Sequence, residues 1–256
     1  MTSFLPAEYN SVVSAIKVVF FDAAGTLFHV KGSVADLYLR YAEKYGLKRT
    51  SESLAAVNAA FQRAFEDAPP PVFAVSDPVE MKQCERLWWF DVVHSVFYRV
   101  GMFEGFDEYF EEIFRAFDGP DCWLLYPETL GVLKELKQQG LELGIVSNFD
   151  SRLFNVLRGL GIVDLFDTVT ISSLAHAAKP APQIFRVALE KHAADPDEAV
   201  HIGDSLRDDV DGATRAQLTG ILLDRGSGAA SQRDRQQGQP CTIHTLAELP
   251  DLVRSL

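Results

Sequence analysis

Four short stretches of the chain carry residue types that can do chemistry together. Asp22 closes the apolar run Lys17-Val-Val-Phe-Phe-Asp22. Ser147 and Asn148 close a second run, Leu143-Gly-Ile-Val-Ser147. Lys179-Pro180 follows a third run, and Gly203-Asp204-Ser205 follows a fourth, with Asp208 and Asp209 just behind. Brought to one place, these would supply several carboxylates, an ammonium and a hydroxyl. Carboxylates packed closely repel and do not all ionise without a cation. A hard divalent ion with oxygen ligands removes that conflict, and Mg²⁺ is the usual choice beside phosphates.

Each stretch alone has a plainer reading. An Asp after a strand is often a turn former, and Ser-Asn-Phe-Asp can cap a helix. Lys-Pro is common in surface loops, and Gly-Asp-Ser-Leu can be another cap. Only joint placement argues for chemistry, and placement depends on the elements between.

Short apolar runs recur at Val18–Phe21, Leu143–Ser147, Thr168–Ile171, Ala199–Ile202 and Leu218–Leu223. They predict strands buried on both faces. Helical patterns lie between them, over Pro127–Gln139, Ser151–Leu160, Pro182–His192 and Ser205–Gln217. Strands alternating with helices of this length predict βαβ units. The expected fold is α/β, a doubly wound, Rossmann-like parallel sheet with an inserted α-helical cap. In such sheets ligands bind beyond the carboxyl ends of the strands, where all four stretches fall.

From about Ser33 to Trp123 the rhythm breaks. Apolar residues recur at helical spacing with no convincing strand. Ser33-Val-Ala-Asp36 resembles a capping box opening a helix through Tyr45. Further helices are predicted over Ser53–Phe65, Glu80–Tyr98 and Asp107–Phe117. The aromatic run Leu87-Trp-Trp-Phe90 reads as the core of this insert. The predicted division is a core of residues 1–30 and 122–256 and a cap of 31–121. Gly226–Pro240 reads as a polar loop, and Thr245–Leu256 as a closing helix.

The order of these motifs resembles the haloacid dehalogenase superfamily of hydrolases, in the branch with a helical cap after the first strand. The matching stretches are Phe21-Asp-Ala-Ala-Gly-Thr-Leu27, Ile145-Val-Ser-Asn148, Lys179-Pro-Ala-Pro-Gln-Ile-Phe185 and His201-Ile-Gly-Asp-Ser-Leu-Arg-Asp-Asp209. The resemblance implies that Asp22 is a nucleophile forming an aspartyl-phosphate, which splits one hard displacement into two easier ones. It implies Mg²⁺ held by Asp22, the carbonyl of Ala24 and Asp204, with Asp209 acting directly or through water. Ser147, the Asn148 backbone and Thr26 would bind substrate, and Lys179 would offset charge. The implied activity is phosphatase-type hydrolysis of a small phosphorylated molecule.

One position departs from the pattern. Phosphatases of this superfamily carry a second Asp two residues after the nucleophile, as general acid and base; here it is Ala24. Such help contributes about 10²–10⁴-fold, so slow or leaving-group-selective hydrolysis is expected. Other readings are His29 as a substitute acid, phosphonate cleavage through a cap lysine (Lys44, Lys48 or Lys82), dehalogenation of a 2-haloacid, or a catalytically degenerate module that binds a phosphate or a protein. Asp204 argues against dehalogenation, because enzymes of that kind lack this metal-binding Asp.

The chain has 256 residues, 24 Lys plus Arg against 36 Asp plus Glu, and a formal net charge of −12. That balance opposes general nucleic-acid binding and docking on anionic membranes. Three widely spaced cysteines, Cys84, Cys122 and Cys241, form neither a disulfide framework nor a zinc pattern. A cytoplasmic setting is the simplest reading. The sequence sets no oligomeric state.

Overall fold

The computed structural model describes residues 16–226 and 241–256. The strand β1 (Val18–Phe21) is followed by the short β2 (Phe28–Val30). Four helices come next: α1 (Val34–Ala42), α2 (Ser51–Asp67), α3 (Pro78–Val100) and α4 (Phe106–Ala116). The strand β3 (Trp123–Leu125) leads into α5 (Thr129–Gln138), β4 (Glu142–Ser147), α6 (Leu153–Gly159) and β5 (Thr168–Ile171). Then follow α7 (Ser172–Ala175), α8 (Pro182–His192), β6 (Ala199–Gly203), α9 (Gly212–Arg215), β7 (Thr219–Leu223), β8 (Cys241–Ile243) and α10 (Leu249–Arg254).

Six strands form one parallel sheet in the order β5-β4-β1-β6-β7-β8. Alternation along β1 explains why it is apolar throughout. Val19 and Phe21 face a core with Leu133 and Leu136 of α5 and Leu153 and Val156 of α6. Val18 and Phe20 face another with Ile184 and Phe185 of α8 and Ala213 of α9. Successive side chains of a strand point to opposite faces, so a strand covered by helices on both sides needs apolar residues everywhere. The sheet is doubly wound as expected.

Phe21 pairs in register with Ile145 of β4 and Ile202 of β6. The chain proceeds from β1 through β4 to β5 on one side, and through β6 to β8 on the other. The carboxyl ends of β4, β1 and β6 therefore frame the switch-point crevice.

Two features of the insert differ from expectation. First, β2 and β3 form an antiparallel ribbon, pairing Phe28 with Leu125 and Val30 with Trp123. Three-residue strands leave almost no periodic signal, and their pairing spans the whole insert. Second, the Leu87–Phe90 run is not simply core. Leu87 is exposed, and Trp88, Trp89 and Phe90 are only partly buried. The insert's packing comes largely from Tyr38, Phe97, Tyr109 and Phe110, which are buried.

Helix ends follow local chemistry. Thr50 and Ser53 form a capping box at α2, and Asp77 caps α3 through the amides of Val79 and Glu80. The stretch expected as one helix over Ser205–Gln217 is a π-helical segment, Leu206–Asp211, running into the short α9. The strand β8 was not expected. The predicted polar loop lies, apart from Gly226, outside the described residues. No helix among the described residues is long and apolar enough to cross a membrane.

Candidate active site

Asp22 directly follows β1, and its amide donates to the carbonyl of Ile202 at 2.8 Å, extending the pairing with β6. The amides of Thr26, Leu27 and Phe28 converge on the carbonyl of Ala23. This tight turn leaves the Ala24 carbonyl outside its hydrogen-bond set among the described residues. Gly25 holds φ of +95°, and a Cβ there would strike the Asp204 carboxylate. Glycine is needed for both reasons.

The crevice brings the expected groups together. Lys179 Nζ donates to Asp22 Oδ1 and to Asp209 Oδ1, each at 2.6 Å. Ser147 Oγ donates to Asp22 Oδ1 at 3.0 Å. The Asn148 side chain is engaged by Lys179: its Nδ2 donates to the Lys179 carbonyl at 2.9 Å, and its Oδ1 accepts from the Lys179 amide at 2.7 Å. That pair fixes the lysine's backbone. Asp209 Oδ2 accepts from the Ser205 amide at 2.9 Å, and a Cβ on Gly203 would collide with the same carboxylate. Gly203 thus lets Asp209 lie against the end of β6.

Charge follows from this geometry. Burial alone would depress the Lys179 ammonium, but the Asp209 and Asp22 carboxylates outweigh it and hold the group above its ordinary range. Burial would raise Asp209, yet Lys179 and the hydrogen bond from His201 keep it well below the usual carboxylate range. Asp204 opens onto the crevice without a hydrogen bond from Lys179, which gives its bonds to Asp22 and Asp209. Enclosure by the walls, then the carboxylates of Asp22 and Asp209, push it up to about 7. Burial likewise raises Asp208.

Oxygens of Asp22, Asp204 and Asp209 lie within 4.8 Å of one another. Three carboxylates against one ammonium leave negative charge uncompensated, and all the donors are oxygen. This set fits a hard divalent cation. Asp209 has one oxygen bound to Lys179 and His201 and the other to Ser205, so it suits support through water as well as direct contact.

Other expected residues are not brought to this point. Thr26 is fully buried, its hydroxyl has no partner among the described residues, and it does not line the crevice. His29 sits on β2, its Nδ1 2.9 Å from the Val30 carbonyl and its ring against Tyr126, away from the cavity wall. None of Lys44, Lys48 and Lys82 lines the cavity, and Lys44 is paired with Glu112. The Schiff-base reading therefore lacks its lysine.

Several residues of the site escaped the sequence reading. Asp150 and Arg152 form a buried pair beside the crevice, with Arg152 Nη2 donating to Asp150 Oδ2 at 2.6 Å. Trp89 Nε1 donates to the same oxygen at 2.5 Å. Burial would raise Asp150, but the Arg152 charge and hydrogen bonds hold it low. Their spacing, two apart just beyond a strand, was visible in the run Ser147-Asn-Phe-Asp-Ser-Arg152. His201 is buried, with Nε2 2.8 Å from Asp209 Oδ1. Its signal was a polar residue inside an otherwise apolar strand. Burial lowers its pKa, so the neutral imidazole carries its proton on Nε2 and donates.

Above the carboxylates stands a cavity of about 340 Å³, walled by Tyr38, Phe61, Trp89, Phe110, Phe114 and Trp123 among others. Its floor is Asp22, Ser147, Lys179 and Asp204. The walls come from the insert and the ribbon, the floor from the sheet.

A family model described as haloacid dehalogenase-like hydrolase matches residues 16–217. Haloacid dehalogenase-like hydrolase domain-containing protein 3 of Danio rerio is 30% identical over 92% of this chain and 95% of its own length. Glyceraldehyde 3-phosphate phosphatase of Methanopyrus kandleri is 34% identical over 51% of this chain and 57% of its own. The structure of L-2-haloacid dehalogenase from Xanthobacter autotrophicus superimposes with a TM-score of 0.68 at 20% identity, covering 94% of this chain and 99% of that one. That likeness concerns the fold.

Proposed function

The chain belongs to the haloacid dehalogenase-like hydrolase family, and we propose that within it the protein is a Mg²⁺-dependent phosphohydrolase. It acts through an aspartyl-phosphate on Asp22, on a small phosphorylated molecule, and favours good leaving groups. The observation that carries this reading is Asp22 held by Lys179 and Ser147 beside Asp204 and Asp209. A phosphatase among the relatives supports it.

In the first step the Asp22 carboxylate attacks phosphorus. A phosphorus–oxygen bond to Asp22 forms, and the ester bond breaks with its electron pair going to the leaving oxygen. Ala24 offers no proton there, so that oxygen takes one from solvent. Water then adds to phosphorus, the bond to Asp22 breaks, and inorganic phosphate leaves. Lys179 orients Asp22 through Oδ1 and offsets charge, leaving Oδ2 free of both hydrogen bonds. Ser147 fixes the same carboxylate. Mg²⁺, held by Asp22, the Ala24 carbonyl and Asp204 with Asp209 behind, would neutralise charge on the phosphoryl oxygens. The helices between β2 and β3 act as a cap that excludes water.

The test uses an activated aryl phosphate with Mg²⁺. Release of phosphate and a phosphate-sized mass increase on the protein are expected, both lost in Asp22→Asn. Asp204→Ala should abolish the Mg²⁺ requirement together with hydrolysis. Equal rates in wild type and Asp22→Asn, or metal-free halide release from a 2-haloacid, would overturn the reading.

A further inference from the structure

We infer that the cavity above Asp22 takes an uncharged aromatic group, so that the substrate is an aryl phosphate monoester. This rests on the phosphohydrolase reading and deepens it. The wall is aromatic on several sides, with Phe61, Phe110, Phe114, Phe117, Trp89 and Trp123. Rings of this kind receive another ring edge-on or offset. A dry apolar cavity of about 150 Å³ already holds a benzene, so 340 Å³ leaves room for one or two fused rings.

The polar groups of that wall are engaged elsewhere. Trp89 Nε1 donates to Asp150, and Trp123 Nε1 donates to the Phe117 carbonyl at 3.1 Å. Arg152 spends Nε and Nη2 on Asp150 and Nη1 on the Phe114 carbonyl. Asn148, on the same lining, spends its side-chain amide on the Lys179 backbone, and the Ser205 hydroxyl accepts from the Asp208 amide. The Tyr38 hydroxyl and the Asp208 carboxylate remain among the described lining residues. A sugar's several hydroxyls would lose water here and gain few partners. A second anionic group fares worse. The cations lining the cavity among the described residues are Lys179 and Arg152, and each is already paired with carboxylate.

Ala24 points the same way from different chemistry. With Ala24 where the acid would stand, a leaving group that is stable as an anion departs most readily. A phenol, with a pKa of about 10, does so far more readily than an aliphatic alcohol. The missing carboxylate and the aromatic wall therefore select one leaving group.

The experiment uses the full chain with Mg²⁺ and two phosphonates that cannot be hydrolysed, 1-naphthylmethylphosphonate and 2,3-dihydroxypropylphosphonate. Binding is read by calorimetry and by quenching of tryptophan fluorescence. The aromatic probe is expected to bind at least 30-fold more tightly. In Phe65→Asn, at a half-exposed position on the rim, and in Phe61→Asn, that ratio should fall several-fold. A ratio near one in the wild type overturns the assignment, as does a preference that survives both substitutions. Turnover of 1-naphthyl phosphate and glycerol phosphate is measured in parallel. Ring preference with no hydrolysis and no phosphorylated Asp22 would remove the phosphohydrolase reading and keep the aromatic site. Hydrolysis without ring preference would do the reverse.

Discussion

Ala24 puts a methyl group on the crevice wall two residues beyond Asp22. In a phosphohydrolase of the kind proposed, that methyl group stands where a proton donor would serve the leaving group. Ala24→Asp should raise turnover of unactivated alkyl phosphates by about 10²–10⁴-fold, the usual worth of a positioned acid–base group. Aryl phosphates should gain much less, because their leaving group needs little protonation. Measuring kcat on both classes decides it, and an equal gain on both would sink the explanation. At this scale the sequence made legible the convergence of Asp22, Ser147, Lys179, Asp204 and Asp209 on one crevice, since each sits at a motif after an apolar run. It was not legible for Thr26, where the turn that admits Gly25 also turns the threonine inward.

The elements meet at a few polar contacts that no local pattern announces. Glu85, on α3 and buried, accepts from the Ser151 amide at 2.9 Å and from the hydroxyls of Ser151 and Ser173 at 2.5 and 2.6 Å. One turn later, Trp89 reaches Asp150. These bonds tie the insert to the loop after β4 and to α7. Glu85→Ala leaves the three donors without their partner and should cost about 1–3 kcal/mol. Hydrogen exchange at the Ser151 amide should quicken, and unchanged exchange there would show that the tie is not structural. The predicted helices α1 to α4 were legible because their apolar spacing is local. The ribbon of β2 and β3 was not, because its two halves are separated by the entire insert.

For the whole molecule, stability in acid depends on buried ion pairs. Asp150 titrates below the ordinary carboxylate range because Arg152 overcomes the effect of burial. Its contribution is full above the unfolded-state value of about 4. It disappears as pH falls through the lower folded value, since the unfolded chain binds more protons in that window. Melting temperature should therefore drop as pH falls below about 4, and less steeply in Asp150→Asn. At neutral pH that variant should be about 3–5 kcal/mol less stable, because a nearly buried Arg152 loses its counter-charge. An acid slope identical to wild type would exclude the pair as its source.

By itself the sequence determined the parallel sheet, the helical nature of the insert and the strand ends on which the reactive groups stand. Each of these rests on short-range periodicity or on a motif a few residues long. The tertiary structure alone decided that Lys179 bridges Asp22 and Asp209, that His201 is a buried partner of Asp209 and Asp150 of Arg152, and that the insert's aromatic residues wall a cavity over the carboxylates. Those facts join residues up to 157 positions apart. A one-dimensional pattern places a Trp or Phe on an apolar helix face, but does not say whether that face meets a helix or an empty space.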